Sequence, residues 1–486
     1  PPRRIEQIVL GLLTLAGAGM VGYCLVSRQS LLAPLPRSML VIWVGVWAGM
    51  LYTLYLVGTG RRWPADRPIP SMEGIMLGAM ALTSAGLTAA TWPRPAGPVR
   101  AEVVWTFEVP RPEQGRIVST PLVEGGRLYA AAALGSGFPY GALYCLDRET
   151  GRPRADFNRG RPFDDGGDLK QVFSSPCAAD GRLYLGEGFH QDSFCKLYCL
   201  DAATGQKLWH VPTKGHTESS PCVADGKVYI GAGDDGLYCV EAVRGKVLWH
   251  FEGPHVDCTP VVVDGRLYGG SGYGTYEVFC LDARTGNLVW RVPVDLPAFA
   301  TPAATPDGRV VFGIGNGNLL ASAGTPAGAL LCLDGRTGAL LWRFDVGDGV
   351  HRQPAVDDRH VYCVTRDCHC YCVRLADGAL VWKKELNSPV AAAPALARSP
   401  QHDGRPGLYI AASRGTIYCL DPDTGAVRWT FDVAEHSQAQ PLLLSSPIVV
   451  TDPTGSGPRR RIYFGAELVN PLLESTPAVY CLEERP

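Results

Sequence analysis

An all-β ring of eight blades, preceded by three transmembrane α-helices, is the architecture the sequence predicts, on three observations. A short phrase recurs eight times: Leu143 to Asp147, Leu197 to Asp201, Leu237 to Glu241, Val278 to Asp282, Leu330 to Asp334, Cys370 to Arg374, Ile417 to Asp421 and Ala478 to Leu482. Its central cysteines lie 40 to 62 residues apart, the period of a four-stranded propeller blade with insertions. Three apolar runs near 20 residues long precede the repeats, at Ile8 to Val26, Met39 to Val57 and Gly74 to Thr91.

Within one unit the parts read in order. Ser219 to Val223, Lys227 to Ile230, Leu237 to Val240 and Lys246 to Phe251 are four strands, and Asp225-Gly226 supplies the positive φ of a tight hairpin. A proline marks the innermost strand at Pro121, Pro176, Pro221, Pro260, Pro302, Pro354, Pro394 and at Pro441 or Pro447. Outer strands carry Trp209, Trp249, Trp290, Trp342, Trp382 and Trp429, with Phe157 in the first unit. A lone four-stranded sheet cannot bury both faces, whereas blades packed in a ring can. The last unit ends after Cys481 without an outer strand, so the segment Glu102 to Val109, with Trp105, is expected to complete that blade and close the ring. The predicted domains are a membrane domain over 1–97 and an eight-bladed β-propeller over 98–486.

Three spans put the termini on opposite sides of a bilayer. Arg3, Arg4, Arg61, Arg62 and Arg67 fall on one side and Arg28, Arg37, Arg94 and Arg100 on the other, which favours a cytoplasmic N-terminus. The expected placement is therefore the bacterial inner membrane, multi-pass, with the lipid bilayer as one partner and the propeller on the periplasmic side. A formal net charge of −2 without a basic stripe excludes nucleic acid as a partner.

Eight of the 16 cysteines occupy the repeat position, where equivalent places in facing sheets are about 10 Å apart, beyond disulfide reach. They read as small apolar fillers. Cys363, Cys368, His369, Cys370 and Cys372 straddle one hairpin, where packing competes with a cross-strand disulfide from Cys363 and with a metal site.

The pattern Ser-Ser-Pro, Asp-Gly-Arg-Leu-Tyr, Leu-Tyr-Cys-Leu-Asp, Thr-Gly and Trp, running from Glu102 to Leu482, resembles the pyrroloquinoline quinone (PQQ) repeat. That repeat serves quinoprotein dehydrogenases and the non-catalytic propeller of the outer-membrane assembly (Bam) machinery, so the resemblance implies a fold more firmly than an activity. For an enzyme it would imply PQQ on a tryptophan floor, commonly under a disulfide of adjacent cysteines, with Ca²⁺ beside a catalytic Asp. Here no two cysteines are adjacent, and every tryptophan after Trp92 is taken by the outer-strand position. No cofactor and no catalytic residue are expected on those grounds, and the chain is closest in kind to the Bam propeller.

Two places remain for a site. Residues just before the inner strands converge at the mouth of the axial channel, where propellers bind ligands; they are His216 with Glu218, His255 with Asp257, His351, and, if Pro441 is the anchor, His436 and Gln438. Enlarged turns between second and third strands, Leu134 to Gly141, Gly186 to Asp192 with Glu187, His190 and Asp192, Gly269 to Glu277, and Gly313 to Gly328, should gather on one end as a loop surface. Solvated loop residues are the competing reading at both. Asp164, Asp165 and Asp168 have Ca²⁺-like spacing, with a solvated acidic loop as the alternative. The functional expectation is a membrane-anchored, non-catalytic scaffold for a protein partner in the cell envelope. A quinoprotein-type oxidoreductase is the alternative.

Overall fold

The computed structural model describes residues 99–110, 114–398, 406–452, 459–471 and 474–485. They form eight antiparallel sheets, most of them four-strand meanders in sequence order. Blade three shows the logic. Its strands are Cys222–Ala224, Lys227–Gly231, Leu237–Glu241 and Val247–Phe251. Asp225 and Gly226 both take positive φ, 49° and 69°, the turn geometry that matches strand twist. Across the sheet Tyr229 pairs with Cys239 and Cys239 with Trp249, so a thiol fills the narrow row between two rings whose centroids are 5.8 Å apart. That is the filler role expected of the repeat cysteines, and burial pushes the Cys239 thiol up to about 12. A bulge follows, Val240 pairing with Val247, and turns Leu248 out to solvent.

Blade-to-blade contacts explain the rest of the repeat. Trp249 and Tyr229 both donate to the carbonyl of Ala283 in blade four, at 3.2 and 3.1 Å. Trp209 with Tyr184, and Trp290 with Tyr268, use Ala242 and Gly335 in the same way. In the turns that hold Ala283 and Gly335, the preceding aspartate accepts from the threonine hydroxyl and amide, as Asp282 does from Thr285, both at 2.8 Å. Around the channel, in three successive blades, the hydroxyl before the inner-strand proline accepts an amide from the preceding blade: Thr120 donates to Ser175, Ser175 to Ser220, and Ser220 to Thr259. The recurrent Ser-Ser-Pro is thus an inter-blade belt, with proline where no strand donor is needed.

The ring closes as expected. Arg100–Glu108 lies antiparallel to Ser475–Arg485, with Trp105 opposite Cys481 and Thr106 opposite Tyr480. In blade one the outer place is irregular; Phe157 fills it, packed edge-on to Tyr129 at 5.9 Å. In blade eight the inner strand Ile448–Asp452 follows Pro447, which makes Pro447 the anchor, while Gln440–Leu442 adds a fifth strand to that sheet.

One expectation is corrected. Among the described residues no helix is long and apolar enough to cross a membrane, so the multi-pass inner-membrane placement is not upheld. Length and hydropathy of a run satisfy only part of what spanning requires, since a continuous helix must also pair every backbone group. The three apolar runs themselves lie outside the described residues. The described cysteines, Cys363 included, are all free, and packing accounts for the hairpin cluster. Asp165 is engaged by Lys207, by Lys196 and by the Tyr198 hydroxyl, so this carboxylate serves ion pairs.

Candidate functional site: an imidazole and carboxylate cluster at the channel mouth

Two connections from outer to inner strands carry the centre of the site. His216 and Glu218 lie between Lys207–Pro212 and Cys222–Ala224; His255 and Asp257 lie between Val247–Phe251 and Val261–Val263. Both segments are extended, so residues two apart share a side. The intervening residues pin the backbone. Thr217 exchanges hydrogen bonds with Glu187, and Val256 with Gly233, which turns both pairs toward each other.

The contacts are tight. His216 Nε2 is 2.8 Å from Asp257 Oδ1, and His255 Nε2 is 2.8 Å from Asp257 Oδ2. His255 Nδ1 is 2.6 Å from Asp234 Oδ1, in the second-to-third-strand turn of blade three. His190 comes down from the loop of blade two, its Nδ1 3.6 Å from both Glu218 Oε2 and Asp257 Oδ2. Side chains of His216, His255 and Asp257 are 4%, 9% and 7% exposed, whereas His190 is 35% exposed and forms the outer lip. Tyr273, from the enlarged loop of blade four, sets its ring edge-on to His255 at 4.7 Å and to His190 at 5.4 Å.

Charge is distributed unevenly. Burial opposes ionisation of Asp257, yet the hydrogen bonds from both imidazoles hold it well below the usual carboxylate range. Burial and the neighbouring Asp257 push Glu218 up to about 8, with Arg352 across the channel pulling the other way. For His255, burial is outweighed by Asp257 and Asp234, and its basicity rises; burial lowers that of His190. The cluster therefore concentrates negative potential in a partly desolvated mouth, the setting of a cation site. Donor atoms of His190, His216, His255 and Asp257 all lie within 4.8 Å of one another.

The sequence-derived residues thus divide. His216, Glu218, His255 and Asp257 meet as expected, and His190, assigned to the loop surface, joins them. His351 lies one aromatic step further round, 6.4 Å from Phe299, which in turn meets Tyr273 at 5.0 Å. Gln438 caps the short helix Val433–Ser437 and is exposed, because Pro447 and not Pro441 anchors the last inner strand. His436 on that helix packs beside Phe431 and Tyr480. Glu187 is corrected from loop surface to interior: it is 1% exposed and accepts from Lys170 N and the Tyr198 hydroxyl. Asp192 folds its own loop by accepting from Phe189 N and Gln171. Asp234 and Tyr273 went unread, since each looks like an ordinary turn residue in the chain. The signal that could have found them is topological: in an antiparallel meander the second-to-third turn leaves from the same end as the outer-to-inner connection.

The comparisons with known proteins bear on this architecture. A family model described as "Outer membrane protein assembly factor BamB" matches residues 141–274, 274–440 and 371–459. The chain belongs to this PQQ-like repeat family. Among solved structures, BamB of Moraxella catarrhalis is 15% identical over 78% of this chain and 97% of its own, with a TM-score of 0.51. Quinohemoprotein alcohol dehydrogenase from Comamonas testosteroni is 14% identical over 79% of this chain and 76% of its own, with a TM-score of 0.58. At such identities the likeness concerns the fold alone. The serine/threonine-protein kinase AfsK of Streptomyces griseus is 33% identical over 174 residues, which is 34% of this chain; the match spans 20% of that kinase.

Because the structures of like fold include a quinohemoprotein dehydrogenase, the fit of a quinone and of Ca²⁺ can be tested. Calcium takes six to eight oxygen ligands, and this mouth offers three imidazoles with its carboxylates. That donor set does not fit Ca²⁺. Each of the seven described tryptophans donates its indole N–H across a blade boundary, from Trp105 to Arg148 through Trp429 to Glu484, so none of them is a floor for a planar quinone.

Proposed function

We propose that this propeller is a non-catalytic recognition scaffold that docks a protein partner on the loop-bearing end of the ring. One observation carries the reading. Tyr140, Phe189, Phe194, Tyr273, Tyr276 and Leu320 are exposed large apolar side chains, Phe194 by 77%, and all six sit in the enlarged second-to-third-strand loops of blades one, two, four and five. Those loops share an end, so the six lie along the arc from blade one to blade five on the end that holds the imidazole cluster. Aromatic anchors on loops held by a rigid scaffold suit a binding face. The BamB family match supports the same reading, as does the partial match to a kinase, where such repeats belong to a larger protein.

The test pairs affinity capture with a cofactor assay. Purified full chain and a Phe194→Ser, Tyr276→Ser variant serve as baits, with cross-links mapped by mass spectrometry. Capture by the parent through these loops, lost in the variant, supports the proposal. Quinone absorbance together with dye-linked oxidation of alcohols or sugars would replace it with the dehydrogenase reading.

A further inference from the structure

We propose that His190, His216, His255 and Asp257 bind a borderline divalent transition-metal ion of the zinc class, and that the ion clamps the Phe189 and Phe194 loop of blade two onto the channel mouth. The clamp's role in recognition rests on the proposed docking face; the metal site does not.

Donor chemistry comes first. Three imidazole nitrogens with one carboxylate oxygen suit Zn²⁺, Co²⁺, Ni²⁺ or Cu²⁺ and not a hard oxygen-seeking ion. Tetrahedral zinc with bonds of about 2.0–2.1 Å spaces its ligands roughly 3.3 Å apart. Two pairs here stand at 2.8 Å, through different oxygens of Asp257, and the set lies within 4.8 Å, so an ion entering spreads those two contacts by about 0.5 Å and draws in the outer ligand. That outer ligand is His190, the most exposed of the four and the one on a long loop.

The surroundings are those of a metal centre. The Asp234 carboxylate against His255 Nδ1 holds a proton there, so that Nε2, which meets Asp257 in the metal-free protein, can give up its own proton and coordinate an ion, the arrangement that orients metal-bound histidines. His216 is held by the backbone beneath it: a side chain on Gly233, where φ is +56°, would begin 2.5 Å from the imidazole Cε1.

A hydrogen-bonded His-Asp-His bridge with no metal would account for His216, Asp257 and His255. It does not account for His190. That Nδ1 sits 3.6 Å from two carboxylate oxygens of different residues, too far to hydrogen-bond either. The Glu218 oxygen facing it is buried and also lacks a hydrogen-bond partner. A cation between them satisfies both, with Glu218 beside the ion as an additional oxygen. Ligands from connections 67 residues apart in the chain (257 − 190) would then hold three blades' loops together through one ion.

The test uses the full chain, stripped with EDTA and titrated with ZnCl₂ or CoCl₂. Expected results are one equivalent of Zn²⁺ per chain, visible Co²⁺ bands of tetrahedral intensity that zinc bleaches, and slower amide exchange over 186–195 when loaded. Asp234→Ala should weaken affinity by about 10–100-fold, and His216→Ala or His255→Ala more strongly. His190→Gln, at an exposed lip, leaves the fold intact by thermal melting and should still lose tight binding. A His369→Ala control in blade six should bind normally. Substoichiometric zinc, six-coordinate cobalt spectra, or unchanged affinity in His190→Gln overturns the site. Metal binding without altered exchange over 186–195 overturns the clamp alone, and loss of partner capture with zinc binding intact points to the docking reading instead.

Discussion

Trp429 donates its indole N–H to Glu484 Oε1 at 3.0 Å, and this is the one described blade boundary where a carboxylate stands in for a backbone carbonyl. The Tyr409 hydroxyl donates to the same oxygen at 2.8 Å, and Arg460, 1% exposed, lies 3.5 Å from Glu484 Oε2 and also donates to Tyr409. The reason is sequential. Glu484 stands three places after Cys481, as Ala283 stands after Cys280, and that is the place whose backbone carbonyl serves the other tryptophans. Here the strand runs on to Arg485, and the side chain of Glu484 accepts instead.

Glu484→Ala should therefore cost about 3–5 kcal/mol, since it removes the carboxylate paired with the buried Arg460 guanidinium and the acceptor shared by Trp429 and Tyr409. Glu484→Gln, which keeps an acceptor but not the charge, should fall between. A double change of Glu484→Leu with Arg460→Met removes both charges and should recover much of the loss. Urea unfolding midpoints of the four proteins decide it; equal stability of Glu484→Ala and the parent would show that the pair contributes nothing.

A second prediction concerns the Thr-Gly turn. Gly245 has φ +72°, and a Cβ there would begin 2.7 Å from Trp209 Cδ2 in the preceding blade. Gly226 has φ +69° with open space around it. Ala at Gly226 should cost the backbone strain alone, about 1 kcal/mol, and Ala at Gly245 that strain plus displacement of a packed indole, about 2–4 kcal/mol. The difference between the two melting shifts isolates the inter-blade contact.

Much of the ring was readable because each repeat carries its own geometry. Asp225-Gly226 specifies a hairpin, Trp249 names the outer strand, and the missing outer strand after Cys481 calls for Trp105. The site was half readable. His216 with Glu218, and His255 with Asp257, stand at equivalent places in successive units, and equivalence in a ring means adjacency. Asp234, His190 and Tyr273 meet them through loops whose lengths differ from blade to blade, and periodicity does not predict the path of an irregular loop. Gln438 misled for the same reason: a proline in an inserted strand mimics the anchor. Hydropathy of the first hundred residues suggested spans, and no described helix supports them.

The aromatic rim offers a prediction that separates binding from folding. Phe194 is 77% exposed, so Phe194→Ser should change stability by no more than about 0.5 kcal/mol. As an interface anchor it should nevertheless cost about 2 kcal/mol or more in partner affinity, some 30-fold. Leu248 on the outer strand of blade three is also exposed but lies on the ring's perimeter. Leu248→Ser should leave affinity unchanged, and a rim variant that binds as well as the perimeter variant would remove the loop end as the docking face.

Acid sensitivity should report on His351. Burial pushes its imidazole down to about 4, with Arg352 and Arg366 adding to that shift and Asp348 and the Asn316 backbone opposing it. The native state thus holds His351 neutral at pH values where the unfolded chain, titrating near 6.5, already binds a proton. Protons then favour the unfolded state, so this contribution to stability is present above pH 6.5 and is lost as pH falls toward 4. A shift of that size corresponds to roughly 3 kcal/mol when complete. His351→Phe keeps a ring of similar bulk without the titration. Its unfolding free energy should decline less steeply than the parent's between pH 6.5 and 4.5, while the two curves run parallel above pH 7. Parallel curves across the whole range would mean that His351 is already charged, or already solvated, in the folded protein.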